Sequence, residues 1–157
     1  MKGLLLLLRA SAALAVVAVF SLLALWAGPD IEVALAPVLV HQVADGVDRL
    51  DDGATVCWTS RFDKVRVAEI IDAGWTIREG HAVYPFQRVR RVADSDLDGD
   101  RLVLRPTRVG QWSRKCIDVP PELAARPFRI TGFVEHRTAL TGALWAIRQP
   151  VAEVTVP

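Results

Sequence analysis

The chain has 157 residues, of which 52% are hydrophobic and 24% are charged, and its formal net charge is +1. Without the apolar N-terminus about 130 residues remain, enough for one compact domain and too few for two. The near-neutral charge argues against a nucleic-acid-binding protein, and the abundant apolar residues argue against disorder. Two cysteines are too few for a four-cysteine zinc site.

The first element is an apolar N-terminal segment that predicts a transmembrane helix. Residues 10–27 carry no charge, and such a helix is about 27 Å long, close to a hydrocarbon core of about 30 Å. We expect Trp26 to lie at the far interface and Gly28 and Pro29 to end the helix. Residues 4–27 would then contact the lipid bilayer.

Charges on either side of this segment predict its orientation. Lys2 and Arg9 lie on the N-terminal side, whereas Asp30 and Glu32 follow the segment. The positive-inside rule places the N-terminus in the cytoplasm and the rest of the chain outside, in the periplasm if the cell is Gram-negative. An uncleaved signal anchor is the favoured interpretation, because the residues after the apolar segment match poorly the small-residue pattern of a signal-peptidase cleavage site. A cleaved signal peptide is the alternative.

Three regions follow from this topology. They are the cytoplasmic N-terminus and signal anchor over residues 1–28, a short juxtamembrane segment over residues 29–36, and an extracytoplasmic domain over residues 37–157. Because the juxtamembrane segment is short, we expect the domain to stand close to the membrane surface. Its expected partners are therefore other membrane or envelope proteins, and its oligomeric state is left open.

The exported part contains short runs of β-branched and aromatic residues, separated by Gly, Pro and Asp, which are typical of β-strands. The predicted strands cover residues 31–35, 38–44, 54–62, 65–77, 82–93, 101–109, 128–137 and 144–156. Helical periodicity is weak beyond the anchor, with residues 40–50 and a single turn near 120–125 as the candidates. This pattern predicts an all-β, two-sheet antiparallel sandwich, with a small α+β domain as the alternative.

The two cysteines favour the sandwich. Cys57 and Cys116 are 59 positions apart with Trp75 between them, an arrangement that resembles the inter-sheet bridge and core tryptophan of immunoglobulin-like domains. The match departs from that pattern at Arg114, which stands where a tyrosine would precede the second cysteine. The resemblance is one of architecture and implies an immunoglobulin-like sandwich. In an oxidising compartment we expect a Cys57–Cys116 disulfide, with two buried thiols as the alternative.

The most specific local pattern is an acidic tract. Carboxylates alternate along it and Gly99 takes the sixth position, as in the first half of an EF-hand calcium loop. These carboxylates are Asp94, Asp96, Asp98 and Asp100. The twelfth position, however, is Arg105 instead of a glutamate. We favour a metal-free hairpin tip, with weak calcium binding by the four aspartates as the alternative and no other cofactor expected.

Patterns typical of catalysis do not occur in the sequence. The three histidines lack the HxH or HxxxH spacing that would favour a zinc site, and there is no Gly-x-Ser-x-Gly pattern or Gly-rich phosphate loop. We therefore expect a protein that is not an enzyme. The less favoured alternative is an extracytoplasmic hydrolase whose site assembles only in the folded chain.

A contact surface is the remaining candidate site. Trp112 lies in a segment that predicts a loop, and Arg114 and Lys115 follow it. An exposed tryptophan beside two cations is typical of a binding hot spot, and a packed loop anchor is the alternative.

The sequence as a whole predicts a single-pass, membrane-anchored binding, adaptor or structural protein of an envelope assembly. A calcium-responsive binding module is the alternative.

Overall fold

The N-terminal helix is longer than the sequence predicts. The structure, a computed structural model, describes residues 2–85, 89–94 and 105–157, and helix α1 runs from Lys2 to Leu35. Pro29 lies inside α1, so the predicted helix end and the predicted strand at residues 31–35 were wrong. Proline removes only one backbone hydrogen bond here, and contacts with the following domain hold the helical turns beyond it. Residues Arg9–Leu35 are long and apolar enough to cross a membrane.

Nine strands follow in the described residues. They are β1 (Leu39–Leu50), β2 (Thr55–Lys64), β3 (Ala68–Glu79), β4 (Ala82–Pro85), β5 (Val89–Asp94), β6 (Arg108–Asp118), β7 (Phe128–Thr138), β8 (Ile147–Pro150) and β9 (Val154–Val156). Short 3-10 turns occupy Asp51–Gly53 and Pro121–Leu123. The second of these confirms the helical turn predicted near residues 120–125.

The strands form two antiparallel sheets. Sheet 1 has the order β1-β2-β6-β5, and sheet 2 has the order β4-β3-β7-β8, with β9 also paired to β7. This is the immunoglobulin arrangement, in which strands A, B, E and D face strands C, F and G. Strands β1, β2, β6 and β5 take the places of A, B, E and D. The predicted all-β immunoglobulin-like sandwich is therefore confirmed, and the α+β alternative is excluded.

Three strand predictions need correction. The run predicted at residues 82–93 is split between β4 in sheet 2 and β5 in sheet 1. Residues 40–50, a helix candidate, form β1, whose two bulges break the alternation of apolar residues. Strand β6 replaces the loop predicted around Trp112, and it was missed because its inward-facing residues are polar. Most of the strand predicted at residues 101–109 lies outside the described residues.

The interior holds two apolar clusters. The larger one contains the indole rings of Trp58 and Trp75, whose centroids are 5.4 Å apart in an edge-to-face arrangement. The smaller one contains Val38 and Ile147 and lies against α1, which adds Val33 to it. Trp75 is thus a core tryptophan, as the sequence predicts.

The disulfide is present, but it does not join the two sheets. Cys57 of β2 and Cys116 of β6 are direct register partners in sheet 1, with Cα atoms 4.1 Å apart. In immunoglobulin domains the bridge connects strand B with strand F of the opposite sheet. Here the second cysteine lies on the strand that corresponds to E, so the predicted pairing is confirmed and its predicted inter-sheet placement was wrong.

Candidate functional site

In the last turns of α1, the carboxylate of Glu32 lies against the sandwich and accepts hydrogen bonds from it. Its Oε1 accepts hydrogen bonds from Arg66 Nη2 at 2.8 Å and from Thr138 Oγ1 at 3.1 Å. Its Oε2 accepts from Thr141 Oγ1 at 2.5 Å and from Trp145 Nε1 at 2.7 Å. The Glu32 side chain is only 9% exposed, and a carboxylate withdrawn from water is stable only when its oxygens are paired. We name these five residues the Glu32 joint.

Two connections of the sandwich supply most of the donors of the Glu32 joint. Arg66 lies in the β2–β3 connection and also donates through Nη1 to the Ala36 carbonyl. Thr141 and Trp145 lie in the β7–β8 connection, where the Thr141 carbonyl accepts from the Trp145 backbone N–H at 3.1 Å. The fourth donor, Thr138, ends β7. Because the two connections emerge at the same end of the sandwich, one carboxylate can gather donors from both.

The absence of a side chain at Gly28 lets the Trp145 ring pack directly on the backbone of α1. Gly28 lies one helical turn before Glu32 and therefore faces the same side of α1. A Cβ atom at Gly28 would lie 2.8 Å from Trp145 Cη2, closer than van der Waals contact permits. The indole thus packs on the helix backbone while its Nε1 donates to Glu32. Close approach, and not helix termination, explains this glycine.

A second attachment lies directly after α1. Gln149 of β8 is 5% exposed, and its Oε1 accepts from the backbone N–H groups of Val38 and Leu39 at 3.1 and 3.0 Å. Its Nε2 donates to the Leu39 carbonyl. The chain is therefore fixed to sheet 2 within three residues of the helix end, and α1 and the sandwich are connected by specific contacts as well as by the backbone.

Polar side chains also lie in the interior of the sandwich, beside both apolar clusters. Lys64 is 3% exposed and donates to the carbonyls of Ala68 and Arg105 at 2.8 and 2.5 Å. Lys115 donates to Ser60 Oγ at 3.2 Å, and its Nζ lies 4.7 Å from the centre of a Trp75 ring. Burial, together with the nearby arginines, lowers the pKa of Lys115 to about 8. The buried Lys64 and the half-buried Lys115 are thus held by carbonyls, a hydroxyl and an aromatic ring.

His136 lies in the same polar interior. It is 0% exposed, and within the described part of the chain neither ring nitrogen has a hydrogen-bond partner. Burial, with a smaller contribution from the charge of Lys64, lowers the pKa of His136 to about 4. The imidazole is therefore neutral at pH 7. Because the ring is fully buried, its nitrogens are out of reach of a solvent-borne substrate in this conformation.

The acidic tract is only partly described. Asp94 is the last residue of β5, and its carboxylate pairs with Arg91 at 3.3 Å and with Arg105. The departure from the calcium pattern, Arg105, is thus a partner of the first aspartate. Asp96, Asp98 and Asp100 lie outside the described residues. In the described ranges no group of three His, Cys, Asp or Glu side chains could hold a metal ion, and calcium binding stays a prediction.

The predicted contact surface does not form as one patch. Trp112, Arg114 and Lys115 all lie on β6, where alternate side chains face opposite ways. Trp112 and Arg114 are on the outer face of sheet 1, and Arg114 Nη2 pairs with Asp48 at 2.5 Å. Lys115 instead enters the interior against Trp75. The grouping of all three was wrong because the segment is a strand and not a loop, and contact through Trp112 and Arg114 stays a prediction.

The Glu32 joint was missed by sequence reasoning, which used Glu32 only as a charge that orients the helix. Its donors are 34 to 113 positions away in the chain, so no local pattern connects them. One signal was available: Gly28 and Glu32 are one helical turn apart, which puts a space and an acceptor on the same face of a helix.

Comparison with known proteins adds little to this description. No known protein family matches the chain, and no curated protein matches it. Among solved structures it is similar to the yeast GGA1_GAE domain-P21, with 7% identity and a TM-score of 0.39 over 75% of this chain and 93% of that one. At this score the likeness carries no weight for function. The fold and the joint define a class of protein: an immunoglobulin-like sandwich fixed to an N-terminal helix that is able to span a membrane.

Proposed function

We propose that this is a single-pass membrane protein that holds an immunoglobulin-like domain against the extracytoplasmic face of the membrane. Its role there is non-catalytic: it binds, adapts or supports other components of an envelope assembly. The Glu32 joint is the observation that carries this proposal. A domain fixed to its membrane helix keeps one height and one orientation above the bilayer, which suits the presentation of a surface to a neighbouring membrane protein.

Two further features support the extracytoplasmic placement. Basic residues precede the apolar segment and acidic residues follow it, which favours a cytoplasmic N-terminus. Disulfides such as Cys57–Cys116 form and persist in oxidising compartments, which lie outside the cytoplasm. The proposal requires no cofactor and no nucleic acid, and its partners are the bilayer, through residues 4–27, and membrane or envelope proteins.

The outer face of sheet 1 is the surface that we propose for partner contact. Trp112 and Arg114 lie there, next to the exposed side chain of Arg61, which is the register partner of Trp112. Arg61 pairs with Asp45 and Arg114 with Asp48. A half-buried tryptophan beside these charged pairs combines apolar area with polar groups, as contact hot spots do. This face lies on the opposite side of sheet 1 from the apolar core, so substitutions there should leave folding intact.

The test uses the full chain in its native membranes. Mass-tagging of thiols before and after reduction is expected to find both cysteines blocked until reduction, and external protease is expected to reach the domain. A photocrosslinking residue at Arg61 is expected to give a specific product with another membrane protein. Arg129, exposed on sheet 2, is the matched control position. Free thiols in a protease-protected domain would contradict the topology, and equal crosslinking from both positions would contradict the proposed face.

A further inference from the structure

Four large apolar side chains around the Glu32 joint are exposed. Leu140 is 85% exposed and Leu144 is 64% exposed, and both lie in the β7–β8 connection. Val67 is 64% exposed and Val65 is 49% exposed, and they flank Arg66 in the β2–β3 connection. The two connections that hold the helix thus also present apolar side chains beside it, where a soluble domain would be expected to carry polar ones.

The joint fixes the level of these connections along α1. Trp145 spans from Glu32 to Gly28, a distance of one turn or about 6 Å of helix rise. Gly28 directly follows the uncharged residues 10–27. The β7–β8 connection therefore reaches the level at which the lipid-compatible part of the helix ends, and a tryptophan at that level is typical of the membrane interface.

Helix α1 exposes both apolar and acidic side chains at this level. Ile31 and Leu35 are 55% and 81% exposed, and the exposed Asp30 lies between them and Gly28. An exposed carboxylate among apolar side chains fits the headgroup layer, which accepts both, and does not fit the hydrocarbon core. The layer that would surround these helix residues therefore also surrounds the two connections.

We propose that the connections at residues 65–67 and 139–146 dip into the interfacial layer of the bilayer, where lipid covers Val65, Val67, Leu140 and Leu144. This inference rests on the proposed membrane anchorage and adds a second, lateral contact with lipid to it. Lipid is the partner that covers these side chains, because the Glu32 joint holds both connections against α1 at the level where α1 would enter the bilayer. The contact is apolar, so it requires no anionic headgroup.

The experiment uses the full chain, with its disulfide intact, reconstituted into phosphatidylcholine vesicles without any other protein. Leu140→Cys and Leu144→Cys are labelled separately with an environment-sensitive dye. Val83→Cys is the matched control, since Val83 is 53% exposed on β4 and pairs with the end of β3 that lies far from the joint. The dyes at 140 and 144 are expected to emit further to the blue than the dye at 83. They should be quenched by nitroxide lipids labelled near the headgroup and shielded from aqueous iodide.

The outcomes separate this inference from the proposed function. If the chain resists carbonate extraction but dyes at 140 and 144 behave like the dye at 83, lipid does not cover the patch and the inference is overturned. A signal that appears only with phosphatidylglycerol and disappears in high salt would also overturn it, because the contact would then be ionic. Failure of the chain to integrate would instead contradict the membrane anchorage on which the proposed function depends.

Discussion

Replacing Glu32 by alanine removes the acceptor of four side-chain hydrogen bonds at once. A hydrogen bond to a charged group contributes about 1.5–3 kcal/mol, and removing one member of a buried ion pair costs about 3–5 kcal/mol. Arg66 is 22% exposed, so water restores part of the loss at that side chain. For Glu32→Ala we therefore expect attachment of the helix to the sandwich to weaken by about 3 kcal/mol, at the low end of the range for a buried pair.

Hydrogen exchange of the β7–β8 connection measures this loss directly. The backbone N–H groups of Gly142 and Leu144 bond to the carbonyls of Thr138 and Thr141 at 3.0 and 2.8 Å, and Glu32 holds both threonines in place. A loss of about 3 kcal/mol in local opening free energy corresponds to about a 100-fold faster exchange. The measurement is mass spectrometry of deuterium uptake by the full chain in lipid nanodiscs.

Two variants show whether the effect belongs to the joint. Glu32→Gln keeps the side-chain shape and one carbonyl acceptor but loses the charge, so an intermediate rate is expected. Glu69→Gln is the matched control because Glu69 pairs with Arg137 at 3.5 Å on the same domain and is 38% exposed. Unchanged exchange at residues 139–146 in Glu32→Ala, or the same acceleration in Glu69→Gln, would refute the reasoning.

Three further predictions concern stability. Because the pKa of His136 is lowered from 6.5 to about 4, the folded state binds fewer protons than the unfolded state, and stability falls as pH drops through that window. In urea unfolding at pH 7 and pH 4, His136→Leu is expected to remove up to about 3 kcal/mol of this dependence, and a variant with the full dependence would contradict it. Arg49 donates to the carbonyls of Leu123, Ala124, Arg126 and Pro157. Arg49→Ala should therefore lower the unfolding free energy by about 2 kcal/mol, whereas the exposed Arg61→Ala should change it little. Gly28→Leu is expected to displace Trp145 and lower the Tm of the full chain, and an unchanged Tm would show that the indole does not need the space.

The sequence predicts those features that depend on local pattern. The uncharged run at residues 10–27 indicates a helix able to span a membrane, and β-branched runs indicate the sandwich. Period-2 alternation fails where inward positions are polar, as at Gln111, Ser113 and Lys115 of β6, and where bulges interrupt β1. The sheet to which Cys116 belongs also depends on strand order, which the spacing of the cysteines alone does not determine. The spacing of Gly28 and Glu32 hints at a contact on one face of the helix, but the donors of the Glu32 joint could not be predicted because only the packing of two connections against the helix brings them together.

The arrangement of the interior explains why the helix and the sandwich depend on each other. The larger apolar cluster stabilises the end of the sandwich away from α1, but the end next to α1 has only a small cluster built on Val38, Leu39, Ala68 and Ile147. Lys64 and His136 lie beside this small cluster as the register partners of Leu39 and Ile147, so buried polar side chains share the interior at this end. Val33 and Trp145 complete the small cluster, and Glu32 holds Trp145 in position. Helix α1 thus supplies part of the core at this end through Val33, and the specific contacts of the sandwich with α1 are concentrated there.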